Sequence, residues 1–286
     1  MAFNWQTFKT RALTAIIFVV VMMAGLLWNR WSFFLLFSLV HFGAWIEYQK
    51  LITQINKDYT ITNSPVRYGI MLAGWCLLLF FTNQELQLSG AHLTTIGWWL
   101  GLALLVILPL LLLLQSLKSF LLNIGYSLFG IFYISLPLAL LIDLRNHWTE
   151  ANIDLNLIIP LLIIFSLWVS DTMAYIVGSL IGKTPLSPIS PKKTWEGTIG
   201  GILLAIVAMS LIAYFTQKIS VVHTAIIAAL ASISGTYGDL FESKLKRMAG
   251  VKDSGHIMPG HGGFLDRFDS LLFAATIAWF YVIIFM

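Results

Sequence analysis

Cysteine is almost absent from this chain: Cys76 is the only one in 286 residues. That excludes an intramolecular disulfide and a cysteine-based zinc site. Charge is nearly as scarce. Asp, Glu, Lys and Arg make up 10% of the residues, against about 25% in soluble domains. So little charge cannot cover a water-soluble body of this size, which excludes a cytosolic enzyme and a disordered tail. The net charge is only +4 and no basic tract reaches five residues, so nucleic acid is not a partner. What is abundant is apolar: 58% of the residues are hydrophobic and 14% aromatic, with a mean hydropathy of +0.85. The composition describes an all-α, polytopic integral membrane protein lying in a lipid bilayer.

A helix needs about 20 mostly apolar residues to cross the hydrocarbon. The apolar runs predict about nine transmembrane helices, near 11–28, 31–48, 66–82, 95–114, 121–142, 157–181, 199–216, 222–241 and 269–286. The third has the shortest apolar core. With the N-terminus cytoplasmic and the C-terminus outside, 14 of the 17 basic residues fall on the inner side, as the positive-inside rule requires. The whole chain, 1–286, reads as one transmembrane domain. Its first half, 1–145, is ordinary membrane sequence, and 146–286 carries the unusual chemistry. In the first half only His41, near an inner boundary among aromatics, and Glu47 stand out. His41 reads as an interfacial anchor. Glu47 is left open, since it also suits the bundle interior.

Asp171 interrupts the apolar run LWVSDTMAYIVGSLIG. A lipid-facing carboxylate is disfavoured by about 2.5–3.5 kcal/mol even on a lenient scale, so Asp171 is expected to face protein or a wet cavity. A hydrogen bond to a neighbouring helix is the structural alternative to a functional role. Downstream, GKTPLSPISPKKTWEGTIGG (182–201) has three prolines, which forbid regular helix. Lys192 and Lys193 precede Thr194, a candidate N-cap, and Glu196 follows just inside the next helix. Two lysines beside a helix N-terminus and glycines suit an anion.

The densest stretch is ASISGTYGDLFESKLKRMAGVKDSGHIMPGHGGFLDRFDS, 231–270. Asp239, Glu242 and Ser243 lie at i, i+3 and i+4, on one face of a helix. Asp266 and Asp269 are three residues apart after His261, Gly262 and Gly263. Lys244, Lys246, Arg247, Lys252 and Arg267 interleave the acids. Carboxylate oxygens suit a hard cation such as Mg²⁺, which usually takes one or two of them together with water and substrate phosphates. Lysine and arginine then hold the remaining phosphate oxygens, and glycine turns let backbone N–H groups reach them. Such a mixture points to phosphoryl or nucleotidyl transfer. Surface ion pairs are the alternative for Lys244, Lys246 and Arg247. His261 suits a phosphate contact, a general acid or a structural cap equally. Small-residue faces such as Ala231/Gly235 allow helix contacts within one chain or in a homodimer.

The run Ser243-Lys244-Leu245-Lys246-Arg247, then Lys252-Asp253, then Pro259-Gly260-His261-Gly262-Gly263-Phe264-Leu265-Asp266-Arg267-Phe268-Asp269 resembles the hallmark of phosphatidate cytidylyltransferases (CDP-diacylglycerol synthases). Ser170-Asp171-Thr172 and Ser190-Pro191-Lys192-Lys193-Thr194-Trp195-Glu196-Gly197 are similar to the same family, and the resemblance covers about 165–270. Met258 stands where the family usually has Leu, Ile or Phe. The resemblance implies the reaction of CTP with phosphatidate to give CDP-diacylglycerol and pyrophosphate, at the cytoplasmic face of the plasma (inner) membrane. It implies Mg²⁺ on Asp239 and Asp266, with room for a monovalent cation such as K⁺. Asp239, Asp266, Lys252, Arg267 and Asp171 are then the expected catalytic residues. Lys192, Lys193, Glu196, Ser243, His261, Gly262, Gly263 and Asp269 are the expected substrate-binding residues.

Other classes fit less of the sequence. A transporter would place its charges near the bilayer midplane, whereas these cluster in inner loops. CDP-alcohol phosphatidyltransferases resemble a pattern opening with Asp-Gly and then Ala-Arg, and polyprenyl-phosphate sugar-phosphate transferases often show Asp-Asp. None of these dipeptides occurs here. A membrane scaffold would leave the cluster at 239–269 without a purpose.

Overall fold

A computed structural model describes residues 5–59, 66–113, 117–148, 154–255 and 262–286. Its helices are α1 (Trp5–Leu27), α2 (Arg30–Ile55), α3 (Val66–Phe80), α4 (Leu93–Leu113), α5 (Leu117–Gly130), α6 (Leu136–Asn146), α7 (Leu155–Ile181), α8 (Trp195–Thr216), α9 (Val221–Met248) and α10 (Leu265–Phe285). A π-helical turn, Ile131–Ser135, joins α5 to α6. Two short antiparallel hairpins complete the description: β1 (Gln87–Leu88) with β2 (Ala91–His92), and β3 (Pro185–Ser187) with β4 (Ser190–Thr194). Among the described residues, six helical segments are long and apolar enough to cross a bilayer: Leu93–Leu113, Ser119–Asn146, Leu155–Ile181, Trp195–Thr216, Val221–Met248 and Leu265–Phe285. Leu13–Leu27 and Val66–Phe80 are shorter apolar helices. Their outer faces carry leucine, isoleucine and valine, such as Leu105, Val106 and Leu110 on α4 and Leu203, Val207 and Leu211 on α8. This is the all-α polytopic membrane fold that the composition predicts.

The chain folds as two compact units, Met1–Ile142 with Met248–Phe268, and Asp143–Arg247 with Asp269–Met286. In the first unit α2 forms the centre. It starts at a capping box, in which Asn29 Oδ1 accepts the Ser32 N–H at 2.8 Å and Ser32 Oγ accepts the Asn29 N–H at 3.0 Å. Phe33, Phe37, Trp45 and Tyr48 of α2 are fully buried. Trp45 Nε1 donates to Ser135 Oγ at 2.9 Å, and His41 Nε2 lies 3.0 Å from the same oxygen. The π turn brings Ser135 to this point, since its extra residue offsets the following side chains. His41 is therefore no interfacial anchor: it is buried completely and held by a polar partner, because an apolar core tolerates a polar group only when it is hydrogen-bonded. An apolar cavity of about 520 Å³ lies among α3, α4, α5 and the π turn, with Cys76 in its lining.

In the second unit α7 packs on α8 through small residues. A Cβ on Gly201 would sit 2.4 Å from the Ser170 carbonyl oxygen, so the two backbones approach as only glycine permits. Helix α9 carries Asp239, Glu242 and Ser243 together, as the sequence places them. Apolarity alone ends this span near residue 241, but the helix runs to Met248. No Pro or Gly interrupts Asp239 to Met248, and Lys246 and Arg247 in the last turn complement the helix dipole. Gly250, at φ +71°, follows the end. The proline-rich loop is likewise more regular than expected, because the extended backbone that proline favours pairs as β3 and β4, with Pro185 opposite Thr194.

Candidate active site

Thr194 ends β4 and caps α8, its Oγ1 accepting the Gly197 N–H at 3.2 Å. The cap fixes where β4 stops, and hence where Lys193 projects. Lys193 Nζ lies 2.8 Å from Asp239 Oδ2, and both side chains are about one-third to one-quarter exposed, at 32% and 26%. Asp269 is buried in the same unit and interacts electrostatically with Asp239, Lys193 and Asp171. Asp171 in turn interacts with Lys193 and Asp239. Gly238 makes this spacing, since a Cβ there would come within 2.5 Å of the Asp269 carbonyl oxygen. Lys193 thus pairs directly with Asp239 of α9, and the carboxylates of Asp171 on α7 and Asp269 on α10 act on the pair electrostatically. Three carboxylates coupled to one ammonium leave an excess of negative charge that favours a further cation.

Glu196 takes another place. Its carboxylate accepts the N–H groups of Lys183 and Thr184, each at 3.2 Å, and the Trp195 N–H donates to the Thr184 carbonyl at 2.9 Å. Glu196 therefore anchors the root of the hairpin that carries Lys192 and Lys193. Lys192 is exposed beside Lys193. On α9, Glu242 is buried and ion-paired to Lys246 one turn on. The three α9 residues that share a face in the sequence thus divide: Asp239 pairs with the hairpin, Glu242 with its own helix, and Ser243 is partly exposed.

The first unit holds the remaining residues. Asp266 stands in the first turn of α10. Its Oδ2 accepts the Ser254 N–H at 2.8 Å, the Gly263 N–H at 2.8 Å and the Ser254 hydroxyl at 2.9 Å. Lys252 and Arg267 are exposed. Gly262 adopts φ +80° ahead of Gly263. His261 lies outside the described residues, so its role stays as the sequence leaves it. Asp266 and Asp269 are three residues apart on one helix, yet each finds its partners within its own unit. Glu47, which the sequence left open, is buried in the first unit and bound to this same loop. Nothing local signals it, because its partners lie more than 200 positions along the chain.

Among the described residues no three His, Cys, Asp or Glu side chains converge closely enough to hold a metal ion by themselves. The donor set nevertheless fits Mg²⁺, which takes one or two protein carboxylates and completes its shell with water and phosphate oxygens. Asp239 is a hard oxygen donor, partly open and flanked by further carboxylates.

Helices that turn apolar residues outward and collect scarce charge at a few points define a class: a polytopic membrane protein with a charged site on its own helices. Comparison with known proteins carries this further. The family model described as the cytidylyltransferase family matches residues 9–285. A Synechocystis protein named phosphatidate cytidylyltransferase is 31% identical over 298 aligned residues, covering 96% of this chain and 97% of that protein. A Bacillus subtilis protein of the same name is 31% identical over 279, covering 97% and 98%. One from Aquifex aeolicus reaches 38% over 158, covering 55% and 56%. The chain belongs to the cytidylyltransferase family, as the motifs at 165–270 implied, and the match extends across the N-terminal half as well.

Proposed function

We propose that this protein is a membrane phosphatidate cytidylyltransferase, making CDP-diacylglycerol and pyrophosphate from CTP and phosphatidate for phospholipid biosynthesis. The observation that carries the reading is end-to-end similarity to two proteins of that name. The cluster of Lys193, Asp171, Asp239 and Asp269 supplies chemistry that suits it.

The reaction needs little acid–base work from the protein. A phosphate oxygen of phosphatidate, already ionised near neutral pH, attacks the α-phosphorus of CTP. The bond from that phosphorus to the bridging oxygen of the β-phosphate breaks, and pyrophosphate leaves with the electron pair. Rate enhancement then rests on positioning and charge neutralisation. Lys192 and Lys193, on a hairpin held by Glu196 and Thr194, present ammonium groups to phosphate oxygens. Lys252 and Arg267, exposed cations of the family motif, are proposed for the same purpose. Asp171 and Asp269 hold Lys193 and Asp239 in register, and Ser243 offers a hydroxyl one turn after Asp239. Gly262 and Gly263 offer backbone N–H groups, and His261 stays within the substrate-binding set. Asp239 and Asp266 are each candidate carboxylates for Mg²⁺ on the family resemblance, and the ion would neutralise charge developing on the triphosphate, together with a monovalent cation such as K⁺.

The reading places the chain in the plasma (inner) membrane with its site toward the cytoplasm, supported by the inner excess of basic residues. It includes a homodimer. The Ala231/Gly235 face is used within the second unit, where Leu167 and Ser270 fill the space beside Gly235, so a dimer would use another face. Purified protein in detergent, given phosphatidate, labelled CTP and Mg²⁺, is expected to make a labelled lipid and to release pyrophosphate. No labelled lipid under any Mg²⁺ concentration would refute the reading. Parallel reactions with dCTP, UTP and ATP define the nucleotide.

A further inference from the structure

Glu47 is a carboxylate that this mechanism leaves idle, yet its surroundings are built for it. It lies on α2 and is only 5% exposed. Its Oε1 accepts the Phe264 N–H at 2.9 Å, and its Oε2 accepts the Leu265 N–H at 2.9 Å and the Ser254 hydroxyl at 2.7 Å. Those two amides stand at the start of α10, where helical N–H groups have no partner within the helix. Glu47 thus caps α10 from a distant helix. The chain around it is shaped to admit it: a Cβ on either Gly255 or Gly263 would come within 2.2 Å of Oε1. One turn earlier on α2, Gly43 receives the ring of Phe264, which a Cβ there would meet at 2.1 Å. Backbone and side chain of Phe264 are therefore both seated on one face of α2.

The same loop holds Asp266. Ser254 Oγ lies between the two carboxylates, 2.7 Å from Glu47 Oε2 and 2.9 Å from Asp266 Oδ2. Its single proton can serve only one of them at a time. The backbone N–H groups of Ser254 and Gly263 complete the hold on Asp266 Oδ2. Two carboxylates sharing one hydroxyl repel each other, and the N-terminal end of α10 offsets that repulsion. A cap needed for stability alone requires neither the second carboxylate nor the shared serine. An apolar residue at position 47 would leave the Phe264 and Leu265 amides and the Ser254 hydroxyl without this acceptor.

We infer that Glu47 is a positioning residue for the reaction: through Phe264, Leu265 and Ser254 it fixes the loop that aims Asp266. The inference rests on the proposed function, in which Asp266 takes part in nucleotidyl transfer. It assigns the N-terminal half a direct share in the chemistry.

The test uses the full chain in detergent with Glu47→Gln, Ser254→Ala and, as a control, the exposed Lys50→Ala. Hydrogen exchange is first read without substrate or metal. Glu47→Gln turns an amide N–H₂ toward backbone donors, so the amides of Phe264 and Leu265 should exchange faster while α7 and α8 keep their protection. Turnover is then split into kcat and KM. Displacing a group by about 1 Å can lower a rate by about 100-fold, so kcat of Glu47→Gln should fall about 100-fold with KM for CTP little changed. Ser254→Ala, which removes only the bridge, should lower kcat about 10-fold, scaled from the same effect. Lys50→Ala should match the parent. Parental kcat in Glu47→Gln, or a kcat loss tracking loss of protection throughout the chain, overturns the inference. If Glu47→Gln does not fold, Ser254→Ala decides: a folded protein with parental kcat overturns it. A parent that makes no labelled lipid instead refutes the proposed function, while the exchange experiment still reports on the loop.

Discussion

Lys193 and Asp239 meet at 2.8 Å, tying the end of β4 to the middle of α9. The pair is partly exposed, so its contribution to stability is small, about 0–1 kcal/mol. Its importance is expected in catalysis. Lys193→Ala should lower kcat by about 100-fold, in the range found when one donor to a developing negative charge is removed. The melting temperature should stay within a few degrees of the parent. Parental turnover would show that the ammonium meets no phosphate.

Asp239→Asn and Asp266→Asn should each reduce turnover by at least about 1,000-fold, the upper end of the loss for a single electrostatic partner. Membrane insertion should be unaffected. Near-parental rates at saturating Mg²⁺ for either variant would remove that residue from the metal assignment. The two variants should differ when no metal is present. Asp266→Asn should also speed exchange at the Ser254 and Gly263 amides that its carboxylate accepts.

Gly201→Ala should loosen α7 from α8, because the new methyl would stand 2.4 Å from the Ser170 carbonyl oxygen. Overpacking of this kind destabilises by about 1–3 kcal/mol. Gly125→Ala on α5 meets no atom within 4 Å and should be neutral or stabilising by up to about 1 kcal/mol. Thermal unfolding of both variants in one detergent gives the comparison. Equal melting temperatures would contradict the close approach.

Ser135→Ala removes the oxygen shared by Trp45 and His41. A buried indole N–H left without its acceptor costs about 1–3 kcal/mol. The variant should melt earlier yet keep the parental KM for CTP. A changed KM at parental stability would bring this cluster into the substrate site.

Much of the second unit's charged cluster was legible because charge is expensive in an apolar chain. Asp171, Lys193, Asp239 and Asp269 each stand out against their neighbours, and the structure gathers them. Thr194 was legible as a cap from its place before a helix. Length was harder to read. Apolarity marks where the bilayer favours a helix, and α9 continues past that stretch through Glu242 and Lys246, which pair one turn apart. Glu196 stands beside two lysines in the sequence, but its donors, the backbone amides of Lys183 and Thr184, are visible only in the fold. Glu47 was the hardest, since contacts 207 and 217 residues away leave no spacing to detect. What a sequence shows of such a residue is only that an unpaired acid lies where none is needed.

The outward leucines and valines of α4 and α8 carry a kinetic consequence. A protein with such flanks stays in the plane of the lipid, and on the proposed function one substrate reaches it by lateral diffusion while the other arrives from water. The lipid's effective concentration is then its mole fraction in the surface, not its amount per litre. Adding inert detergent or neutral lipid at constant total phosphatidate should slow the reaction by dilution in two dimensions, leaving the response to CTP unchanged.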